Sequence, residues 1–241
     1  MVVPLHYNRF GITTDSGVTP VRPEPVEGRK RLPFAVGQAH REQTGVRMDS
    51  NAEQKHALRR QLRARRREHV LDLPESIHGL LFRRPPAPLL DLIPRDAVIG
   101  LYHATPFEAP ASAYAAFFAE AGHTIALPYF LDRHSAMRFR LHKDPLGASD
   151  LEPGPYGMMQ PAAKAAVVVP DVLFVPLISF TADGRRLGQG GGHYDRWLAE
   201  HPAARAIGLA WDVQLCEDLP HEAHDIRLDA IVTPTCLYGP F

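Results

Sequence analysis

Apolar and polar positions along the chain keep distinct rhythms in distinct stretches. Between residues 50 and 69 there is no Gly or Pro, and Leu58 and Leu62 mark an apolar stripe at helical spacing. Ser50 and Glu53 begin this run as an S-x-x-E pair, the spacing of a reciprocal helix cap. Past the Pro-rich connection at Pro85, Pro86 and Pro88, apolar runs alternate with helical patterns. Strands are expected over 97–102, 124–128, 172–176, 206–210 and 230–233, with an alternating strand over 136–141. Helices are expected over 111–121 and 194–200. Strands spaced this way by helices predict an α/β fold: a single three-layer domain, mostly parallel sheet, helices on both faces.

Residues 1–48 have no comparable rhythm. The stretch 19–31 mixes Pro, Gly and charge, and buries too little apolar surface to offset its ordering entropy. A disordered leader over 1–48 and one folded domain over 49–241 are therefore expected. Met48, directly before the first helix, marks the leader as a candidate translated upstream region.

The 241 residues are 45% hydrophobic, enough for one sizeable core or two small ones. Lys plus Arg number 27 and Asp plus Glu 27, so zero net charge removes any global electrostatic case for a nucleic-acid or membrane partner. Cys216 and Cys236 form neither a CxxC pair nor a disulfide framework and read as ordinary thiols of a reducing compartment. The chain has no apolar run of the ~18 residues a membrane span needs. It also shows no signal-peptide start. A cytoplasmic location follows as the expectation.

The most informative stretch lies between the 172–176 strand and the 194–200 helix, where open α/β sheets bind ligands. Five of the nine residues over 184–192 are glycine. Successive N–H groups unobstructed by Cβ atoms can form a concave anion site, and the following helix adds its positive end. Arg186 and Arg196 supply full charge at either edge, which together suits a polyphosphate. Neither common nucleotide motif is present: there is no Gly-Lys-Ser/Thr, and the dinucleotide fingerprint would need glycine where His193 stands.

The block Arg186-Leu-Gly-Gln-Gly-Gly-Gly-His-Tyr-Asp-Arg196, preceded by Pro176, Phe180 and Gly184, resembles the signature of the 5-formyltetrahydrofolate cyclo-ligase family. That resemblance implies an ATP- and Mg²⁺-dependent closure of 5-formyltetrahydrofolate to 5,10-methenyltetrahydrofolate. ADP and phosphate are released by way of a phosphorylated formyl oxygen. It makes Arg186, Leu187, Gly188, Gln189, Gly190, Gly191, Gly192, His193 and Tyr194 the ATP loop, and Asp195 a magnesium ligand. Asp225, just before the last expected strand, is implied as the second. The family's K-x-x-L-R is present as Lys55-His-Ala-Leu58-Arg59 and adds Lys55 and Arg59 to the phosphate-gripping, catalytic cations with Arg186. On the folate side the resemblance implies Glu108, His103, Tyr156, Met158 and Gln189. A carboxylate at Glu108 accepts the paired N–H donors of the pterin, and Tyr156 stacks on the ring with Met158 beside it. A monomer is expected.

Three positions depart from the family pattern. His193 stands where an aromatic, often tyrosine, is usual; Thr181 replaces a common aspartate; Ala111 replaces a threonine. Altered affinity rather than lost activity is the expectation. Read without the resemblance, the seven Lys/Arg between residues 50 and 69 form a solvated face or an RNA-binding helix, with Arg63 to Arg67 facing solvent. By the same reading Glu108 is a helix-entry cap, and Tyr156 a half-buried turn residue. His221 and His224 are three apart, not the four of a zinc-binding HExxH. Two other function classes stay open: a non-catalytic folate- or nucleotide-binding relative, and an RNA-binding protein.

Overall fold

The structure, a computed structural model, describes residues 1–8, 11–13, 51–74, 77 and 80–241. The chain opens with β1 (Val2–Pro4), β2 (His6–Asn8) and β3 (Gly11–Thr13), then α1 (Asn51–Asp72) and the short α2 (Ala87–Leu90). Next come β4 (Val98–Gly100), α3 (Ser112–Glu120), β5 (Thr124–Tyr129), β6 (Arg138–Leu141), β7 (Leu151–Pro153) and β8 (Met159–Pro161). After β9 (Val167–Val168) and β10 (Val172–Pro176) follow β11 (Ser179–Thr181), β12 (Arg186–Leu187) and α4 (His193–Glu200). The chain closes with β13 (Arg205–Leu209), β14 (Leu215–Cys216), β15 (Ala230–Val232) and β16 (Cys236–Tyr238).

Among the described residues the largest sheet has nine strands in the order β1-β16-β15-β13-β10-β4-β5-β6-β9. Its centre, from β15 to β5, is parallel, and its two flanks are antiparallel. The expectation of a mostly parallel sheet is thus corrected to a mixed one. The reason is local: β15–β16 and β5–β6 are joined by connections too short for a crossover helix, so each returns antiparallel.

The central strand β10 shows why the core forms. Its Val172, Leu173, Phe174 and Val175 are all buried, as a strand covered on two faces requires. Val172 and Phe174 enter one apolar cluster with Tyr114 and Phe118 of α3 and Val70 of α1. Leu173 and Val175 enter another with Trp197 and Leu198 of α4. The period-two alternation of a strand sends neighbouring residues to different clusters.

The leader needs a second correction. Val2–Pro4 is not disordered: it pairs antiparallel with β16 and adds the last strand to that edge, with Leu5 buried behind it. Thr19 to Met48, the capping serine Ser50 and the 48/49 boundary lie outside the described residues. Strands β7, β8, β9, β11, β12 and β14 had no expectation, because two- and three-residue strands leave too short a pattern to read.

Helix α1 is seated by a third cluster. Leu62 packs with Ile178, Leu187 and Leu219, and Leu58 joins them half-buried. This contact sets α1 beside the small β12-β11-β14 sheet, immediately before the glycine-rich loop. No helix among the described residues is long and apolar enough to cross a membrane. Truncating Leu62 to alanine removes the centre of this seat; a loss of about 2–4 kcal/mol in unfolding free energy is expected from urea titration. A change within measurement error would mean that α1 is anchored elsewhere.

Candidate active site

A cleft of about 610 Å³ opens where the parallel strands end: Pro176 at the end of β10, Tyr102 after β4, and Phe130 after β5 all line it. Every residue expected to touch ligand, from Lys55 and Arg59 to Asp195 and Asp225, borders this one cleft.

The loop over 188–192 is held from outside by α1. The Arg59 Nε donates to the Gly188 carbonyl at 3.0 Å, and the Arg63 Nη2 donates to the Gln189 carbonyl at 2.9 Å. A trans peptide sends its N–H opposite its C=O, so the N–H groups of Gln189 and Gly190 turn away from the helix. Among the described residues, Gln189, Gly190, Gly191 and Gly192 have no acceptor for their backbone N–H groups. Gly190 and Gly192 adopt φ of 108° and 63°, a region that side chains disfavour, and this is what curls the loop into α4. Four unsatisfied donors at a helix N-terminus make an anion cradle.

Charge is paired around that cradle. Lys55, only 4% exposed, donates its Nζ to Glu222 Oε2 at 2.7 Å and to Asp225 Oδ2 at 2.6 Å. Burial pulls the Lys55 pKa down, but these two carboxylates outweigh it and hold the ammonium above its ordinary value. Asp225 feels burial pushing it up, and the Lys55 bond reverses that to a net lowering. Arg186 reaches Asp195 Oδ1 at 2.6 Å and the Ile226 carbonyl, while the Ile226 N–H returns to the same Asp195 oxygen at 3.2 Å. Asp195 and Asp225 are therefore tied together through the Ile226 peptide. Glu222, His224 and Asp225 bring potential ligand atoms within 4.8 Å of one another. Glu222 entered no sequence expectation as a ligand, and His224 entered only through the zinc-motif spacing that it does not match.

The other end of the cleft is built on Glu108. Its Oε2 accepts the Thr105 N–H at 2.8 Å, and its Oε1 accepts from Gln189 Nε2 at 2.8 Å. The buried carboxylate therefore closes the 105–108 turn rather than capping α3, and it also borders the cleft. Gln189 also accepts from Arg63 through Oε1, so one side chain links α1, the loop and Glu108. Across the cleft stand Phe130, Tyr156 and His193, edge-to-face at 4.9–5.5 Å between ring centroids. Gln160 fixes Phe130 with two bonds to its backbone, at 3.0 and 3.1 Å. Met158 borders the same cleft, and His103 borders it from an exposed position.

Two sequence readings change here. Arg63 does not face solvent freely but grips Gln189, and Arg66 is buried, donating Nη1 to the Leu177 carbonyl at 3.2 Å. Their spacing after Lys55 and Arg59 was the available signal, since positions 55, 59, 63 and 66 share one face. Arg65 and Arg67 are exposed as expected. Gln160 and Phe130 carried no such signal. Of the departures, Thr181 closes the β11–β12 hairpin, taking the Arg185 carbonyl at 3.0 Å and donating its hydroxyl to Asp183. Ala111 leaves α3 without a side-chain cap.

A mixed α/β domain with a glycine-loop cleft at its strand ends is the class that fold and site define. The family model described as "5-formyltetrahydrofolate cyclo-ligase family" matches residues 51–234. The chain belongs to the 5-formyltetrahydrofolate cyclo-ligase family. It is 51% identical over 67 residues to the 5-formyltetrahydrofolate cyclo-ligase of Escherichia coli (strain K12), covering 27% of this chain and 37% of that one. It is 39% identical over 79 residues to the enzyme of the same name from Haemophilus influenzae, covering 30% and 42%. The chain thus spans about two fifths of the length of these curated relatives in each match. Its fold resembles the solved 5,10-methenyltetrahydrofolate synthetase of Mycoplasma pneumoniae, with a TM-score of 0.53 at 21% identity over 78% of this chain and 99% of that one.

His193 generates a pH prediction. Its Nδ1 lies 3.1 Å from Arg196 Nη2 and its Nε2 lies 3.2 Å from the Tyr156 hydroxyl, which donates to the Arg133 carbonyl. Because an arginine only donates, Nδ1 must accept, so the ring is neutral with its proton on Nε2. Burial first, then the Arg196 charge, lowers its pKa below the ordinary 6.5. The unfolded chain therefore binds the extra proton more readily, and this group's stabilisation is complete above 6.5 and lost as pH falls below it. Thermal melts at pH 7.5 and 5.5 should show a smaller acid-induced drop for His193→Tyr than for the unsubstituted chain. Identical drops would remove His193 from the balance.

Proposed function

We propose that this protein cyclises 5-formyltetrahydrofolate to 5,10-methenyltetrahydrofolate at the expense of ATP, releasing ADP and phosphate. The observation that carries this reading is that Lys55, Arg59 and Arg186 line one cleft with a loop whose successive N–H groups lack acceptors among the described residues, beside a buried carboxylate and an aromatic wall. The triphosphate lies along 186–194, with Lys55, Arg59 and Arg186 neutralising its charge. The bicyclic ring of the folate donates its paired N–H groups to Glu108 and rests among Phe130, Tyr156 and His193, with Met158 and His103 at its edges.

The chemistry needs little from side chains beyond placement. A formamide oxygen is a poor leaving group, so it first attacks the γ-phosphorus, and the bond to the ADP oxygen breaks. The N10 amine then adds to the activated formyl carbon, loses its proton, and phosphate departs with the former formyl oxygen. Positioning and charge neutralisation supply the rate. Asp225 and Glu222 offer hard oxygen donors, and Asp195 is linked to Asp225 through the Ile226 peptide; carboxylates of this kind suit Mg²⁺ shared with phosphates. When bound there, Mg²⁺ would neutralise charge on the phosphoryl oxygens. The Arg59, Arg63 and Arg66 bonds into the fold support this reading over an RNA-binding helix, leaving Arg60, Arg65 and Arg67 as its exposed basic residues.

Three-layer organisation, a monomeric state and a cytoplasmic setting belong to the same reading. So does the separate 49–241 domain, the N-terminal strand being an addition to its sheet edge. Formation of methenyltetrahydrofolate, followed by its ultraviolet absorbance, should require ATP. Intact ATP binding without product would instead make the protein a non-catalytic relative. Lys55→Met should lower turnover by on the order of 10²-fold, since it deletes a transition-state charge. Glu108→Gln should raise KM for the folate by about tenfold and leave KM for ATP unchanged. Equal effects on both KM values would separate Glu108 from the folate.

A further inference from the structure

Arg66 is the buried cation of α1 that the phosphate site does not use. It is 6% exposed, yet its Nε has no acceptor among the described residues. Its Nη1 shares the Leu177 carbonyl with Gln214, whose Nε2 is nearer at 2.7 Å against 3.2 Å. A buried guanidinium so poorly satisfied costs more than an ordinary polar residue, and such a group calls for a partner that the fold does not provide. The side chain lines the cleft, and Glu108 is the negative group acting on it, with Arg63 as the opposing like charge. The Tyr102 hydroxyl is committed to the Ala109 carbonyl at 2.5 Å. This wall of the cleft therefore presents an acceptor, Glu108, and a donor still without its acceptor, Arg66.

A ligand matching that wall needs hydrogen-bond donors beside an acceptor on one edge. The 2-amino-4-oxo ring of a folate has this order: exocyclic amine, ring N–H, carbonyl oxygen. We propose that Arg66 donates to the 4-oxo group while Glu108 takes the neighbouring N–H donors, which makes Arg66 a specificity-determining residue for oxo-folates over 2,4-diamino analogues. A diamino ring turns an amine toward the guanidinium, so donor meets donor. The inference rests on the folate reading of the cleft and deepens it.

Calorimetric binding of 5-formyltetrahydrofolate, a 2,4-diaminopteridine and ATP to the full chain and to Arg66→Met tests it. Loss of this charged hydrogen bond should weaken the oxo-folate by roughly tenfold, and leave the diamino ligand within about twofold and ATP unchanged. Arg66→Lys keeps the charge without the planar fork and should still cut the oxo/diamino affinity ratio by roughly threefold or more. It also decides the matter if Arg66→Met melts before titration. Equal weakening of both pteridines would make Arg66 a structural residue only, and an unchanged oxo-folate affinity would likewise overturn the proposal. An unsubstituted chain that binds ATP but no pteridine would sink the folate reading itself, a separate result.

Discussion

The seat of α1 on Leu187 is the contact on which the site depends. Leu58 and Leu62 turn one stripe of the helix into Ile178, Leu187 and Leu219, and this fixes the rotation of the whole element. Once that rotation is set, Lys55, Arg59, Arg63 and Arg66 can only point toward the loop and the cleft. Desolvated cations are tolerated only where acceptors meet them. Carbonyls of the glycine loop meet Arg59 and Arg63, and carboxylates near the last parallel strand meet Lys55. Leu187 itself adjoins Gly188, so the apolar anchor and the polar grip occupy neighbouring residues of one segment.

The electrostatic state of the cleft follows from this arrangement. Positive groups are balanced by Glu222, Asp225 and Asp195, and the last two are joined by the Ile226 peptide. Under the proposed function, an arriving triphosphate meets cations already desolvated and aligned, which lowers the reorganisation needed during reaction. At the Glu108 end of the cleft the aromatic wall is equally pre-set, because Gln160 holds Phe130 by both backbone groups.

Much of this could be read from residue order. The glycine cluster, the K-x-x-L-R helix and Glu108 each announce their chemistry locally, and the structure brings them to one cleft. The parallel centre of the sheet was equally legible, since Val172 to Val175 form an uninterrupted apolar run. The antiparallel flanks were not, because short connections decide the direction of β6 and β16, and β1, β9 and β16 are only two or three residues long. The edge strand Val2–Pro4 escaped for a different reason: its stability comes from pairing with β16, a partner far along the chain. Arg66 was misplaced because basic residues are usually solvated, and only the fold shows that it turns inward.

The distances along the chain between partners carry a consequence for how the protein is made. Lys55 meets Asp225 across 170 residues, and Arg59 meets Gly188 across 129. Contacts of such long range close late, because much chain must be ordered before they can form. During synthesis the helix α1 emerges with its row of cations long before Glu222 and Asp225, the carboxylates that pair with Lys55, exist. A nascent chain therefore carries Lys55 without its carboxylate partners until residue 225 leaves the ribosome, and an early stop before that point leaves the anion cradle without this part of its wall.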